Sequence, residues 1–214
     1  MSLDHNKIEL IMRLRAEGVR DTRVLEAIEK VPRESFLPDH LQDQAYADHA
    51  LPIECGQTIS QPFLVGLMTH QLNLTDRTKV LEVGTGSGYQ AAVLSHVCRR
   101  VYTIERFHSL AKQADERFRQ LARRNITTMT GDGTKGWPAQ APFERIIVTA
   151  AAMDKVPPAL IEQLAVGGEM IIPVEYAPGR QELRRIVRTD EGFETERLLP
   201  VRFVPLIEGV AKDA

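Results

Sequence analysis

Apolar residues in the first third of the chain recur at helical spacing, with proline-marked breaks between the runs. Over residues 3–17, Leu3, Ile8, Ile11, Met12 and Leu14 fall near the repeat of an amphipathic helix. Asp21-Thr22 supplies a capping oxygen for a second helix that carries Val24, Leu25, Ile28 and Val31 and that Pro32 stops. Residues 33–57 hold Pro38, Pro52 and Gly56 and little periodicity, which predicts loop and short turns. Pro62 suits the first turn of a third helix, with Phe63, Leu64, Leu67, Met68 and Leu72 on one face. From residue 79 the rhythm changes. Short apolar runs at 79–83, 101–104, 126–130, 145–149 and 168–174 predict strands, and 90–97, 107–123 and 157–165 predict helices. Strands alternating with helices of this length imply βαβ units and a parallel sheet. Beyond 180, strand follows strand: Leu183–Val187, then Phe193–Val204 with a bend. That predicts an antiparallel edge on the same sheet.

Composition narrows the partners. The 214 residues suit one domain (1–214), read as a helical and loop segment over 1–75, a βαβ core over 76–175 and C-terminal strands over 176–214. A formal charge of −2 offers no basic field for nucleic acid. No apolar run nears the roughly 20 residues of a membrane helix, and MSLDHNKIEL lacks the apolar core of a secretory signal. Cys55 and Cys98 have no CxxC spacing, so no metal site is expected and a reducing cytoplasm is the expected location.

The chemistry concentrates in Val80-Leu81-Glu82-Val83-Gly84-Thr85-Gly86-Ser87-Gly88-Tyr89. A buried strand runs into three glycines on alternate positions and then a helix, which lets the backbone approach a ligand closely. The dinucleotide fingerprint G-x-G-x-x-G fits Gly84 and Gly86 but meets Tyr89 at its third glycine. The spacing is instead G-x-G-x-G with an acid two positions before it. That is the pattern of Rossmann-like methyltransferases that bind S-adenosylmethionine (SAM). Glu105, at the end of the second strand of this core, is placed to accept ribose hydroxyls. Asp132 and Gly133, in the Gly131-Asp132-Gly133 turn, are placed to approach an adenine ring. The glycines alone also fit a tight strand-to-helix turn, and the Asp132 segment also fits a plain turn.

With these pieces in place, the sequence closely resembles the protein-L-isoaspartate O-methyltransferase family. The resemblance rests on VPRESFLP (31–38), AYADHALPI (45–53), QTISQP (57–62), VLEVGTGSGYQAAVL (80–94), YTIER (102–106), GDGTKGW (131–137), the run from Val148 to Val174, and VRFVPL (201–206). It implies a Rossmann-like α/β fold: a doubly wound, mostly parallel sheet with extra N-terminal helices and an antiparallel C-terminal edge. It implies SAM as methyl donor, S-adenosylhomocysteine as product, and isoaspartyl peptides and proteins as substrates. The enzyme class methylates the isoaspartyl α-carboxylate, and the ester then collapses to a succinimide that can reopen as aspartate. A monomer is expected. Ser60 falls on the family's active-site serine and Thr58 and Ile59 on the loop contacting cofactor and substrate. Gly84, Thr85, Gly86, Ser87 and Gly88 fall on the cofactor turn, Glu105 on the ribose acid, and Asp132 with Gly133 on the adenine contact. Glu144 and Glu175 stand where the family often has Asp and Gly, both outside the expected site.

The chemistry needs no base beside Ser60. A carboxylate with a pKa of roughly 4 is already ionised at neutral pH. Ser60 lies in no G-x-S-x-G elbow, and His49 and His70 read as surface or loop residues. The segment after the fourth strand, Val148–Ala152, carries no amide clamp of the kind amino-group methyltransferases use. Ser60 also fits a plain helix cap before Pro62, and the two roles are compatible. Val201–Pro205 fits either a peptide groove or a buried edge strand. Other functions open to this pattern are methylation of a small-molecule acid and a ligand-binding module without turnover.

Overall fold

The structure, a computed structural model, describes residues 3–212. Residues 1, 2, 213 and 214 of the expected domain lie outside the described residues, as does the Leu3 side chain. Helix α1 (Leu3–Ala16) buries Leu10 and Leu14, one turn apart, whereas Ile8 and Met12 of the expected apolar face are 58% and 67% exposed. Helix α2 (Thr22–Lys30) starts as its sequence requires: the Asp21 carboxylate accepts the Arg23 N–H at 2.9 Å. It stops at Val31, whose extended backbone suits the residue before proline. The stretch to residue 57 forms 3-10 turns and one unexpected element, a ribbon of β1 (Leu51–Pro52) antiparallel to β2 (Thr58–Ile59). Helix α3 (Pro62–Gln71) follows at once.

The sheet then builds from β3 (Lys79–Val83), α4 (Tyr89–Leu94), β4 (Arg100–Glu105), α5 (His108–Gln120), β5 (Ile126–Thr130) and β6 (Phe143–Val148). The short β7 (Ala152–Met153), α6 (Pro158–Glu162), β8 (Leu164–Ala177), β9 (Arg180–Arg188) and β10 (Phe193–Val201) complete it. The strand order is β10-β9-β8-β6-β3-β4-β5, with β7 beside β8. Strands β8, β6, β3, β4 and β5 are parallel, while β9 and β10 run antiparallel as the expected edge. From β3 the chain goes one way to β4 and β5, then crosses to β6 and β8 on the other side. The switch point therefore lies between β3 and β6, and a doubly wound sheet binds ligands at the carboxyl ends there. Alternation along β3 sends Val80 into the core beneath α1–α5, and Leu81 and Val83 into the core beneath α6. A strand covered on both faces reads as one apolar run, and after Lys79 at its start only Glu82 breaks this one.

The C-terminal part departs from expectation in three places. Helix α6 ends at Glu162, short of the expected 165, and β8 begins at Leu164 rather than 168. Gly167, at φ +74, lies in a register shift that lets β8 start early. Strand β10 stops at Val201, after a bulge between Arg197 and Pro200. Beyond it, Val201–Pro205 is a half-exposed segment rather than a buried strand, and Val204 and Pro205 line a cleft. The Ala151 N–H donates to the Val204 carbonyl and the Leu206 N–H to the Ala151 carbonyl, each at 2.7 Å. These bonds pin the returning chain across the strand ends. Among the described residues, no helix is long and apolar enough to cross a membrane.

Candidate active site

A cleft of about 780 Å³, counting its open mouth, lies over the switch point. Thr58, Ile59 and Ser60 line one side of it. Gly84, Thr85, Gly86 and Ser87 line it from the turn after β3, Glu105 from the end of β4, and Gly133 from the turn after β5. Parts of the chain separated by more than seventy residues thus meet at one cavity, as a switch-point site requires.

The turn depends on its glycines for different reasons. Gly84 (φ +97) leaves no room for a Cβ, which would stand 2.3 Å from Thr149 Oγ1. That hydroxyl donates to the Gly84 carbonyl at 2.6 Å and so ties the ends of β3 and β6 together. Gly86 (φ +52) has open space where a Cβ would be, the nearest atom being Ile53 Cδ1 at 3.7 Å. Gly88 (φ +91) does not line the cleft. A Cβ there would meet the Phe118 ring at 2.9 Å, so its service is close packing of α4 on α5.

Glu105 is 5% exposed. Its Oε2 accepts the Gly86 N–H at 2.8 Å and its Oε1 the Phe107 N–H at 3.1 Å. Burial raises its pKa, while the N–H groups of Gly86, Phe107 and Arg106 pull the other way. Each oxygen keeps a lone pair for a further donor such as a hydroxyl. Asp132 stands beside the cleft rather than in its lining. Its Oδ1 caps the following turn, accepting the Thr134 N–H at 3.0 Å and the Thr134 hydroxyl at 2.7 Å. Burial alone would raise its carboxyl, but bonds from Thr134 and the Gly209 N–H hold it below the usual range. Gly133 brings backbone to the cleft wall, where a Cβ would lie 2.5 Å from Val83 Cγ1.

Ser60 is not the cap of α3. Gln61 holds the N-cap position without a capping bond, and the Phe63 N–H donates instead to Asp48 Oδ1 at 2.8 Å. Ser60 is therefore half-buried in the cleft wall with its hydroxyl outside the capping pattern. The cap assigns a definite stability to Asp48. Asp48→Ala is expected to cost about 1 kcal/mol and to lower the melting temperature by about 2–4 °C, as a thermal scan would read.

Sequence reasoning missed Thr149, Ala150, Gln90 and Arg106 in the lining, and Leu206 and Ile207 of the returning chain; Val204 and Pro205 belong to the segment it offered as a groove. Thr149 and Ala150 sit directly after β6, where small residues after an apolar run were the available signal. Nothing local marks Leu206 and Ile207, which the Ala151 bonds bring to the cleft. His49 is exposed and His70 sits in the last turn of α3; neither lines the cleft.

The cradle fits SAM by its own features. Backbone with positive φ at Gly84 and Gly86 gives close approach, and the buried carboxylate of Glu105 can receive a diol. Comparisons with known proteins agree. The family model described as Protein-L-isoaspartate(D-aspartate) O-methyltransferase matches residues 5–211. The protein-L-isoaspartate O-methyltransferase of Parvibaculum lavamentivorans is 62% identical over 213 residues, covering 99% of this chain and 96% of its own. A solved protein-L-isoaspartate O-methyltransferase superposes with a TM-score of 0.85 at 29% identity, over 95% of this chain and 67% of that one. A Plasmodium falciparum structure of the same description, in complex with S-adenosyl-L-homocysteine, gives a TM-score of 0.80 at 25% identity, over 93% of this chain and 97% of that one. Fold, cleft and sequence agree along the whole length, and the chain belongs to the protein-L-isoaspartate(D-aspartate) O-methyltransferase family.

Proposed function

We propose that the chain transfers a methyl group from SAM to the α-carboxylate of L-isoaspartyl residues in damaged peptides and proteins, the first step of their return to aspartyl residues. The observation that carries this reading is one cleft, lined both by the cofactor turn with Glu105 and by Thr58–Ser60. In this reading Gly84–Ser87 and Gly133 hold the cofactor's backbone-facing parts and Glu105 its ribose. Bound there, SAM supplies an electrophilic methyl group on a good leaving group. The substrate carboxylate is the nucleophile and arrives ionised, so the chain has no proton to remove. Its task is to position that carboxylate and strip part of its water. Hydrogen bonds from the Ser60 region suit the task better than a contacting lysine or arginine, which would stabilise the ground state most and blunt the nucleophile. The same reading makes the chain a cytosolic monomer; a chain with two cysteines and no CxxC spacing suits a reducing compartment.

The test is incubation with labelled SAM and a matched pair of peptides, one isoaspartyl and one aspartyl. Label is expected on the isoaspartyl peptide alone, and mild base should release it, as it does an ester and not a methylamine. Equal labelling of both peptides, or of neither, would refute the reading. Labelling of small carboxylic acids only would point to a small-molecule enzyme. Ser60→Ala is expected to lower turnover on the order of tenfold to a hundredfold, with S-adenosylhomocysteine affinity nearly unchanged. Steady-state kinetics beside calorimetric titration would check it.

A further inference from the structure

Arg33 lies behind the Thr58–Ser60 segment, in the turn after α2 and outside the cleft lining. Its exposure is 0%, and none of the ion pairs among the described residues includes it. A buried guanidinium without a carboxylate partner is costly, and an apolar side chain of similar volume would ordinarily serve the fold better. Two of its three nitrogens go to carbonyls, Nη1 has no hydrogen-bond partner among the described residues, and Asp48 acts on the guanidinium as a nearby negative charge. Nε donates to the Ala45 carbonyl and Nη2 to the Ser60 carbonyl, each at 2.8 Å. The guanidinium carbon stands 4.8 Å from the centre of the Tyr89 ring, which packs edge-on against Phe36 at 5.4 Å. Tyr89 is the first residue of α4, directly after the cofactor turn. One side chain therefore joins the Ser60 segment to the element that carries the turn.

The bond to the Ser60 carbonyl does more than tie a loop down. It fixes the plane of the Ser60–Gln61 peptide, and in a trans peptide the Gln61 N–H then points away from Arg33. A charged donor on the carbonyl also polarises that peptide and strengthens its N–H as a donor. Burial lowers the Arg33 pKa, but a guanidinium stays charged at any physiological pH. The guanidinium thus stands as a positive charge behind the Ser60 segment without itself lining the cleft. This answers the demand set by the chemistry: attraction for the carboxylate without a contact ion pair that would blunt it.

We propose that Arg33 is a positioning residue for carboxyl methylation, holding the Ser60–Gln61 peptide from behind in the orientation that receives the substrate carboxylate. The proposal rests on the isoaspartyl reading above.

The experiment compares the wild type with Arg33→Lys and Arg33→Met, using an isoaspartyl peptide for kinetics and S-adenosylhomocysteine for calorimetric titration. In Arg33→Met, kcat/KM for the peptide is expected to fall about tenfold to a hundredfold. Arg33→Lys should lie between the other two, because its ammonium keeps the charge but cannot span both carbonyls as the planar fork does. S-adenosylhomocysteine affinity should stay within about threefold in both variants, since the bonds that hold the turn, Gly86 N–H to Glu105 and Thr149 to the Gly84 carbonyl, do not involve Arg33. Unchanged peptide kinetics in both variants would overturn the proposal. So would a parallel loss of S-adenosylhomocysteine affinity, which marks a structural role only. Should Arg33→Met fail to fold, Arg33→Lys decides by the same two readouts. A wild-type protein that methylates no isoaspartyl peptide overturns the reading beneath the proposal and the proposal with it.

Discussion

Gly86→Val is expected to abolish S-adenosylhomocysteine binding, a loss of more than about a hundredfold, while the protein stays folded. The turn glycines allow this separation because their surroundings differ. Gly86 has φ +52, and a Cβ there has only Ile53 Cδ1 within reach, at 3.7 Å. The left-handed backbone costs a non-glycine residue about 1–2 kcal/mol, somewhat more for a β-branched one, which a chain of this size can absorb. The valine methyls, however, would stand in the lining of the cleft, and the backbone they distort carries the N–H that holds Glu105 at 2.8 Å. The turn and the Glu105 carboxylate would fail together. Gly84→Val should behave differently. Its Cβ would stand 2.3 Å from the Thr149 hydroxyl that ties β3 to β6, so it should lower the melting temperature as well as the affinity. Calorimetric titration with S-adenosylhomocysteine and a thermal scan on both variants separate the two effects. Gly86→Val binding the ligand as tightly as the wild type would mean that the cofactor site lies elsewhere.

Which features were legible in the sequence follows from how local their causes are. The bounds of α2 come from Asp21 just before it and Pro32 two residues past its end, and the sequence reading holds there except that Val31 lies just outside the helix. The strand–glycine–helix passage at 80–89 is local too, and Glu105 is in register because β4 pairs directly with β3. Ser60 was misread as a cap option because the true cap, Asp48, lies 15 residues upstream and reaches Phe63 only through the β1–β2 ribbon. The exposure of Ile8 and Met12 depends on which face of α1 meets α2 and α3, which spacing alone does not decide. The returning chain at Val204–Ile207 enters the cleft by pairing with Ala151, more than fifty residues away. Arg33 was visible only as part of a motif. Its burial requires the carbonyls of Ala45 and Ser60 to converge on it, and no pattern within one helix or turn announces that.

Glu82→Gln is expected to leave stability near that of the wild type at pH 5 and to raise it at pH 8. Glu82 has the parity of Val80 on β3, is 0% exposed, and lies two residues before the glycine turn. The Thr103 hydroxyl donates to its Oε2, and the Thr85 hydroxyl in turn bonds Thr103 at 2.6 Å, while Oε1 has no partner. Burial pushes its pKa up to about 8; the Thr103 bond acts against this, and nearby Glu105 adds to it. An unfolded glutamate releases its proton near pH 4.3, whereas the folded one keeps it until about pH 8. Between those values the folded state binds more protons than the unfolded state, so stability falls as pH rises across that window. The loss is on the order of 3 kcal/mol. Burial raises the Glu105 pKa as well, which adds to the same slope. Glutamine keeps an acceptor for Thr103 and has nothing to ionise. Its amide hydrogens replace an unpartnered oxygen, which costs about 1 kcal/mol at low pH and is outweighed once the native carboxyl must ionise or hold its proton against the solvent. Urea midpoints at pH 5, 6.5 and 8 read the difference directly. The wild-type line should slope downward and the Glu82→Gln line should be flatter. Parallel lines would show that Glu82 does not retain its proton, and would place the cost of this buried acid in the native state at every pH above 5.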